Sequence, residues 1–357
     1  MSRIVIAMSG GVDSSVAAAL VAGSGAEAIG VSMQLYDQRE GAAGHGFGSC
    51  CSLDDLHDAR RVARRLGIPH YIMNFERQFE EQVIADFVGE YARARTPLPC
   101  ARCNSDLKFS TLLDRARGLG ATAVATGHYA RIDRDPDADA FRLRRGRDEA
   151  KDQSYFLFPL TQDQLGAARF PVGDLTKTDV RSHARALDLH VADKRDSHEI
   201  CFVPDGDYAA FVERRNPDAA TPGAITDTNG RVLGTHGGVH RFTVGQRRGL
   251  GLSSRDPLYV VRVEPATHAV VVGPAAALER TVLTARAVNW IVGDTPAGPV
   301  RAGVQIRHRH AAAAALVTPI EGARARVEFA EPQRAIAPGQ AAVFYRGDIV
   351  LGGGWIE

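Results

Sequence analysis

The amino-acid sequence predicts an α/β fold: a Rossmann-like parallel sheet with helices on both faces, followed by two small β-rich domains. The chain of 357 residues is too long for one ordinary hydrophobic core. Its first half alternates strand-like and helix-like segments, which is typical of a parallel sheet. After about residue 212, short strand patterns separated by turn residues replace long helical patterns, as in small antiparallel barrels. We therefore expect domains at 1–212, 213–277 and 278–357.

The elements of the first half follow from apolar periodicity, taken in chain order. The helix at 54–66 has a clear end, because Gly67 follows it and Pro69 lies just beyond, and Ser52 is a candidate cap. The segment 41–48 is rich in glycine and predicted to be a loop. The predicted strands are 3–8, 27–33, 70–74 and 121–126, and the predicted helices are 13–22, 54–66, 77–95 and 105–119.

The second half begins with a linker-like stretch at 217–223. Runs rich in β-branched and aromatic residues then alternate with Gly, Pro, Asn and Asp turn signals. The run at 311–315 is ambiguous, because alanine favours helix while its surroundings favour strand. The predicted strands are 258–263, 269–272, 281–288, 300–306, 323–329 and 341–345.

Composition limits the class of protein. The formal net charge of +1 excludes a simple polycation, and no apolar run approaches the ~18 residues of a membrane span. The N-terminus runs directly into a strand-like segment, so we expect no secretory signal and a cytoplasmic location. In a reducing compartment we expect the five cysteines to have chemical roles rather than to form structural disulfides. Only four of the 43 basic residues are lysines, which weakly indicates positions where a compact ammonium is favoured.

The segment Ser9–Ser15 reads SGGVDSS and lies between the first strand and the first helix. Its glycines allow close approach to an anion, and the N–H groups at the helix start can hold phosphate. Asp13 is suited to hold Mg²⁺ near those phosphates. Because no Gly-Lys-Ser/Thr follows, this is not a Walker loop. The string resembles the pyrophosphate-loop ATPases, which cleave ATP between the α and β phosphates to adenylate a substrate oxygen.

Two cysteine segments indicate sulfur chemistry. Cys100 and Cys103 form a C-x-x-C between two predicted helices, and Cys201 lies far along the chain. A helix start and the neighbouring Arg102 would lower the thiol pKa of Cys103 and favour its thiolate. Two reactive thiols suit persulfide chemistry, in which one carries sulfur and the other releases it by forming a disulfide.

Other interpretations of the cysteines remain open. Cys100, Cys103 and Cys201 could hold an iron–sulfur cluster, or a zinc ion with His198 as fourth ligand. A thioredoxin-type redox pair is a further alternative, although its C-x-x-C should follow a strand. The adjacent Cys50 and Cys51 are interpreted as structural or loop cysteines, because vicinal pairs rarely chelate or catalyse together.

Five motifs in order now point to one family. They are SGGVDSS, TPLPCARCN with LKF, ATGHY, KDQSYFL and DSHEICF, and FTVGQRRGLG, PGQ and LGGG follow in the second half. Over nearly its whole length the sequence closely resembles the tRNA-specific 2-thiouridylases, which place sulfur on position 2 of the wobble uridine. This resemblance implies an ATP-dependent adenylation of the uridine followed by sulfur transfer from a cysteine persulfide.

The resemblance also implies roles for individual residues. Cys103 matches the nucleophile and Cys201 the persulfide carrier. The residues implied to bind ATP are Ala7, Met8, Ser9, Gly10, Gly11, Val12, Asp13, Ser14, Met33 and Gly127. Those implied to meet the flipped target base are Leu98, Pro99 and Cys100, and those implied to touch tRNA elsewhere are His128, Lys151, Asp152, Gln153, Arg307, His308 and Gln340. Many family members have Asp where this chain has Cys100, and a thiol does not replace a carboxylate as a base of the same pKa.

The expected partners follow from this interpretation. They are tRNA, whose single-stranded anticodon loop can present a splayed-out uridine, and a cysteine desulfurase or sulfur-relay protein. Basic runs at 307–310 and around Arg241, Arg247 and Arg248 supply surface for phosphates. Two rival classes are weighed against it. A different adenylating synthetase would not need Cys103 and Cys201, and a non-catalytic tRNA-binding or iron–sulfur carrier protein would not need SGGVDSS.

Overall fold

The computed structural model describes residues 2–36, 53–196, 200–203, 205–291 and 293–357. The predicted loop at 41–48 and the residues Ser52, Cys50, Cys51 and His198 lie outside this range. Within it the strands, in chain order, are β1 Arg3–Ala7, β2 Glu27–Gln34, β3 His70–Asn74, β4 Ala123–Ala125, β5 Ala130–Arg134, β6 Phe141–Arg145, β7 Ala168–Arg169, β8 Gly223–Asp227, β9 Val232–His236, β10 Tyr259–Glu264, β11 Ala269–Gly273, β12 Glu279–Trp290, β13 Val300–Gln305, β14 Ala313–Ile320, β15 Arg324–Arg334, β16 Ala341–Arg346 and β17 Ile349–Ile356.

The helices of the described residues are given in the same way. Two of them, α3 and α4, are each built of two α-helical parts joined by a π-helical stretch. They are α1 Val12–Gly23, α2 Leu53–Leu66, α3 Glu76–Phe79 with Glu80–Ile84 and Ala85–Ala92, α4 Pro99–Arg102 with Cys103–Thr111 and Leu112–Gly118, α5 Gln162–Ala167, α6 Lys177–Ala186 and α7 Tyr208–Arg215. Short 3₁₀ turns lie at Ser154–Phe156, Pro217–Ala220, Val239–Arg241 and Ala275–Leu278.

The first half forms the predicted parallel sheet, in the order β3-β2-β1-β4-β7. Side chains alternate across a strand, so neighbouring residues enter different cores. Val5 packs with α3 and α4 residues such as Phe87 and Leu112 on one face. Ile6 packs with α1 and α2 residues such as Val16 and Val62 on the other. The prediction of helices on both faces is confirmed.

The largest correction to the predicted helices concerns the start of α4. The prediction placed the start at residue 105, with Cys103 beside it, but the helix begins at Pro99. Proline is favoured at the first helical position, where its missing N–H costs nothing. Cys100 therefore lies in the first turn, and Cys103 lies one turn further along.

The second half contains two β units, as expected. A four-stranded sheet has the order β10-β11-β8-β9. The remaining strands run β12-β15-β14-β13-β16-β17, and β17 pairs again with β12 to close a barrel. The linker-like stretch at 217–223 contains a 3₁₀ turn and the start of β8, and the ambiguous run at 311–315 leads into β14, a strand.

One connection between the halves was not predicted. The hairpin of β5 and β6 lies in the first half of the chain, but β6 pairs with β17 through Leu143 and Val350. The last strand of the chain is therefore hydrogen-bonded both to its own barrel and to the hairpin that follows β4. No helix in the described ranges is both long and apolar enough to span a bilayer.

Candidate active site

The residues predicted to bind ATP lie at the carboxyl ends of three adjacent strands. Ala7 ends β1, Met33 is next to last in β2, and Gly127 follows β4 by two residues. The chain leaves β1 for β2 on one side, whereas β4 lies on the other side of β1. Ligands of open α/β sheets bind at such a switch point, outside the carboxyl ends of the strands.

The segment Ser9–Ser15 is a tight turn that requires glycine. Gly10 has φ +74°, and a Cβ there would lie 2.2 Å from the carbonyl oxygen of Asp55. The backbone N–H of Ser9 donates to the hydroxyl of Ser14 at 3.2 Å, and that hydroxyl donates to the carbonyl of Gly11 at 3.1 Å. The turn thus places the first N–H groups of α1, which have no partner within the helix, at the edge of the sheet.

Gly127 brings a second loop against this turn. A Cβ at Gly127 would lie 2.6 Å from the backbone nitrogen of Ser14 and 2.7 Å from the carbonyl carbon of Asp13. Only a residue without a side chain permits that approach. The side chains of Met8 and Met33 are buried.

A chain of charged side chains holds Asp13. The Nζ of Lys177 lies 2.8 Å from each carboxylate oxygen of Asp13 and 2.7 Å from Oδ1 of Asp196. The hydroxyl of Tyr129 donates to Oδ1 of Asp13 at 2.7 Å. Lys151 lies 2.7 Å from the other oxygen of Asp196. These charged side chains link the turn Ser9–Ser15, which we call the nucleotide loop, to the segment that leads toward Cys201.

These contacts fix the protonation states of Asp196 and Tyr129. Burial alone would raise the pKa of Asp196, but the hydrogen bonds and charges of Lys151 and Lys177 outweigh it and lower that pKa to about 2. Burial, together with the Asp13 carboxylate, raises the pKa of Tyr129. At neutral pH Asp196 is therefore ionised and Tyr129 is a hydrogen-bond donor.

Lys194 holds the opposite side of the loop. Its Nζ lies 2.6 Å from carboxylate oxygens of Asp55 and Asp58 and 3.2 Å from the carbonyl oxygen of Gly10. Three of the four lysines in the chain, Lys151, Lys177 and Lys194, thus pair with carboxylates around the nucleotide loop. The sequence motifs did not include Lys177 and Lys194. The only feature of the sequence that pointed to a role for these two residues was the scarcity of lysine.

Of the five cysteines, the structure describes three, and all three are thiols. Cys100 is exposed, whereas Cys103 and Cys201 are half-buried and pack against the same hydrophobic core. The helix-start argument for Cys103 does not fit this geometry, because the field of a helix end decays within the first turn, where Cys100 lies. The guanidinium of Arg102 lies 4.7 Å from the ring centre of Trp355, in the barrel.

The metal alternatives gain no support in the described ranges, where no three His, Cys, Asp or Glu side chains are grouped so that they could hold an ion. The predicted cluster ligands Cys100, Cys103 and Cys201 therefore do not form such a group. Asp13 has the chemistry of a magnesium ligand, but both of its oxygens contact Lys177.

The segment that leads to Cys100 is held by all three parts of the chain. The N–H of Thr96 donates to the carbonyl of Pro338 at 2.8 Å, and its hydroxyl donates to that of Thr243 at 3.1 Å. The side-chain amide of Gln340 donates to the carbonyls of Thr96 and Pro97, each at 3.2 Å. Gln340, predicted to touch tRNA, thus also positions the segment before the target-base residues.

The other residues predicted to touch tRNA divide into two groups. Lys151, Asp152 and Gln153 form hydrogen bonds inside the protein, to Asp196, to Arg145 and to the backbone N–H of Tyr129. Arg307 and His308 are exposed.

His128 hydrogen-bonds Thr126 at 2.7 Å. Burial and the charge of Lys108 lower the pKa of His128, which is therefore neutral at pH 7. Of the target-base residues, Leu98 and Pro99 are buried and Cys100 is exposed.

Comparison with known families gives three matches in chain order. Residues 2–205 match the tRNA methyl transferase HUP domain, residues 209–274 the tRNA methyl transferase PRC-barrel domain, and residues 280–356 the aminomethyltransferase beta-barrel domain. The three matched regions correspond, in this order, to the α/β part, the four-stranded sheet and the closed barrel.

Curated relatives match along the whole chain. The tRNA-specific 2-thiouridylase MnmA of Solibacter usitatus is 54% identical over 99% of this chain and 99% of its own. The protein of the same name from Geotalea uraniireducens is also 54% identical, over 99% of this chain and 95% of its own. Among solved structures, a 4-thiouridine synthetase–RNA complex with bound ATP aligns over 61% of this chain and 51% of its own, at 16% identity and a TM-score of 0.36, a likeness too low to bear on function.

Proposed function

The chain belongs to the family of tRNA-specific 2-thiouridylases, and we propose that it transfers sulfur to position 2 of the wobble uridine of tRNA at the expense of ATP. The observation that carries this proposal is the 54% identity over 99% of both chains. The geometry agrees with it, because a phosphate-binding turn and two half-buried thiols lie in the part of the chain that matches the HUP domain.

The first step is activation of the uridine. ATP binds with its phosphates at the turn Ser9–Ser15, where backbone N–H groups and hydroxyls of the first turn of α1 can hold them. The O2 atom of the uridine attacks the α-phosphate, pyrophosphate leaves, and the uridine becomes an adenylate ester. Magnesium, when bound, would neutralise charge on the phosphates, and Asp13 is the carboxylate that would hold it. Lys177 contacts both oxygens of Asp13, so Asp13 would hold the ion either together with that ammonium or in its place.

The second step transfers sulfur. Cys201 receives a persulfide sulfur from a cysteine desulfurase or a sulfur-relay protein. In one route the terminal sulfur attacks C2 of the activated uridine directly, and Cys103 then attacks the inner sulfur, which breaks the S–S bond and releases the 2-thiouridine. In the other route Cys103 attacks the inner sulfur first and releases hydrosulfide, which attacks C2. AMP leaves in either route, and the two cysteines end as a disulfide that an external thiol must reduce. This chemistry needs a reducing compartment, so we place the protein in the cytoplasm.

The tRNA lies across the three parts of the chain in this proposal. Leu98, Pro99 and Cys100 meet the target base, while His128, Arg307, His308 and Gln340 contact other parts of the tRNA. Asp152 and Gln153 are held by hydrogen bonds inside the protein. In this segment Lys151 is therefore the residue best placed to contact the tRNA, by giving up its ion pair with Asp196.

Mass analysis of persulfide on tryptic peptides tests this function. Cys201→Ser is expected to lose the label from a persulfide donor, whereas Cys103→Ser keeps the label but makes no 2-thiouridine. Cys50→Ser and Cys51→Ser serve as controls and should stay active. If Cys100→Ser, Cys103→Ser and Cys201→Ser instead lose activity together with bound iron, a cluster-dependent route replaces the persulfide route.

A further inference from the structure

One ammonium joins the nucleotide loop to the segment that carries Cys201. The Nζ of Lys177 lies 2.8 Å from both oxygens of Asp13 and 2.7 Å from Oδ1 of Asp196. The nearest oxygens of the two carboxylates are therefore no more than about 5.5 Å apart. Two carboxylates at that separation repel each other unless a cation lies between them. The position of Asp196 relative to Asp13 thus depends on the charge of Lys177.

Lys177 is mounted on a rigid element. It is the first residue of α6, where the side chains of Thr176 and Asp179 form a reciprocal capping box. Its backbone N–H donates to a carboxylate oxygen of Asp148 at 2.9 Å. Val180 of α6 is fully buried in the core that α1 shares. The ammonium is therefore held at a defined place beside α1, which begins in the nucleotide loop.

Three cations hold Asp196. Lys151 lies 2.7 Å from its Oδ2, and a guanidinium nitrogen of Arg181 lies 3.5 Å from its Oδ1. Of the three, in the part of the chain that the structure describes, Lys177 is the one that also contacts Asp13. Lys151 is the cation that the proposed function gives to tRNA, so Lys177 and Arg181 are the two that keep Asp196 in place once tRNA is bound.

The position of Asp196 limits where the thiol of Cys201 can lie. Cys201 follows Asp196 by five residues, and five extended residues span at most about 18 Å. Cys201 also directly precedes Phe202, whose ring is buried with its centre 5.5 Å from that of Phe79 and 5.0 Å from that of Phe87. The thiol is therefore tethered on one side by apolar packing and on the other by the ion pairs of Asp196.

We propose that Lys177 is a positioning residue for sulfur transfer, which through Asp196 places the Cys201 persulfide relative to the nucleotide loop where the uridine is activated. The inference rests on the proposed function and adds a residue to which that function gave no role. Without this contact the adenylated uridine waits longer for sulfur. Water then attacks C2 instead, which restores uridine and releases AMP and a proton. ATP is consumed in that case without thiolation.

The yield of 2-thiouridine per pyrophosphate released tests the proposal. It is measured on the full chain with ATP, tRNA and, as persulfide donor, a cysteine desulfurase with cysteine. Losses of ATP affinity, tRNA affinity or folded protein cancel in this ratio, so a merely structural role of Lys177 would leave it at the wild-type value. Lys177→Met and Asp196→Asn, which keeps the shape of the side chain, should each lower the ratio by about 3- to 10-fold. The matched control is Asp193→Asn, which removes an exposed carboxylate paired with Arg185 and should leave the ratio unchanged.

The double variant separates one shared contact from two independent defects. If Lys177 and Asp196 act through their contact, Lys177→Met with Asp196→Asn should have the same ratio as the single variants, whereas independent losses would multiply. The rate at which iodoacetamide modifies Cys201 relative to Cys103, followed by mass spectrometry, is a second readout. Both single variants should raise this relative rate by about threefold or more, because the segment of Cys201 is held less firmly.

The results that would overturn the inference differ from those that would overturn the proposed function. If wild-type protein makes 2-thiouridine but both single variants keep the wild-type ratio, or the losses multiply in the double variant, Lys177 does not position Cys201 and the proposed function stands. The same conclusion follows if the relative alkylation rate of Cys201 is unchanged in both single variants. If wild-type protein makes no 2-thiouridine, the proposed function fails and the inference with it.

Discussion

Lys177 stabilises the nucleotide loop, and its replacement by methionine has an effect that can be estimated from the contacts. Its ammonium lies 2.7–2.8 Å from three carboxylate oxygens of Asp13 and Asp196, and its side chain is 12% exposed. Methionine keeps most of the length of the side chain but removes the charge, so two carboxylates would face each other without it.

Removing one partner of a fully buried ion pair costs about 3–5 kcal/mol. Here Asp13 is 31% exposed, and Asp196 keeps its ion pair with Lys151. We therefore reduce the expected loss to about 2–3 kcal/mol. For a unit of about 200 residues this lowers Tm by about 5–10 °C.

The dependence of Tm on pH provides a second, independent test of this prediction. The pKa of Asp196 is about 2 in the folded protein and about 3.9 when unfolded, so this group stabilises the fold above about pH 4 and the contribution is lost as pH falls toward 2. In Lys177→Met much of that contribution is already missing. The difference in Tm from wild type should stay constant between pH 7 and 5 and become smaller at pH 3.5.

Scanning calorimetry of wild type, Lys177→Met, Lys177→Arg and Arg346→Met measures both effects. Arg346 is exposed and loses the same charge, so its variant should change Tm by no more than about 2 °C. Lys177→Arg should fall between, because a planar fork does not fit a compact site of three oxygens. A Tm for Lys177→Met equal to that of Arg346→Met, or a difference that does not shrink at pH 3.5, would refute the reasoning.

Three further predictions concern the loop, the domain junction and the RNA. Asp13→Ala should abolish ATP-dependent pyrophosphate release while tRNA affinity, measured by filter binding, stays within about twofold of wild type; normal release would remove Asp13 from the mechanism. Gly339→Ala should lower the free energy of unfolding by about 2–3 kcal/mol, since Gly339 has φ +89° and a Cβ would lie 2.8 Å from the backbone N and O of Thr96. The control Gly347→Ala, where φ is +61° and the space is open, should lower it by about 1 kcal/mol. Equal losses for the two variants in urea melts would contradict this account. Affinity for tRNA should fall steeply between 50 and 200 mM salt, by about a thousandfold if six phosphates are neutralised, and a flat profile would argue against the basic contact surface.

Much of the α/β part could be predicted from sequence because its signals are local. The strand at 70–74 was predicted with its observed bounds, and the glycines of the nucleotide loop indicated its conformation before any contact was known. Glycine at residue 10 is required by a positive φ and by the nearby carbonyl of Asp55. The family motifs predict nucleotide binding at the same turn.

The errors arise where distant segments decide the structure. Lys177 meets Asp13 across 164 residues, and no periodicity reports such a contact. Strand β17 was not predicted because Gly352, Gly353 and Gly354 are poor strand formers. They are needed there by close packing, since a Cβ at Gly352 would lie 2.3 Å from the carbonyl oxygen of Asn289 and one at Gly353 would lie 2.8 Å from the ring of Phe158. The early start of α4 had a local signal, proline at its first position, which the prediction assigned to the preceding loop.

A single-turnover experiment tests the central claim most directly. Protein loaded with persulfide on Cys201 is mixed with ATP and tRNA in the absence of reductant, and AMP, 2-thiouridine and the Cys103–Cys201 disulfide are quantified by mass spectrometry. The account predicts that the three products appear in equal amounts and that Cys103→Ser yields no 2-thiouridine. Formation of 2-thiouridine at wild-type yield in Cys103→Ser, or its formation without the disulfide, would contradict it.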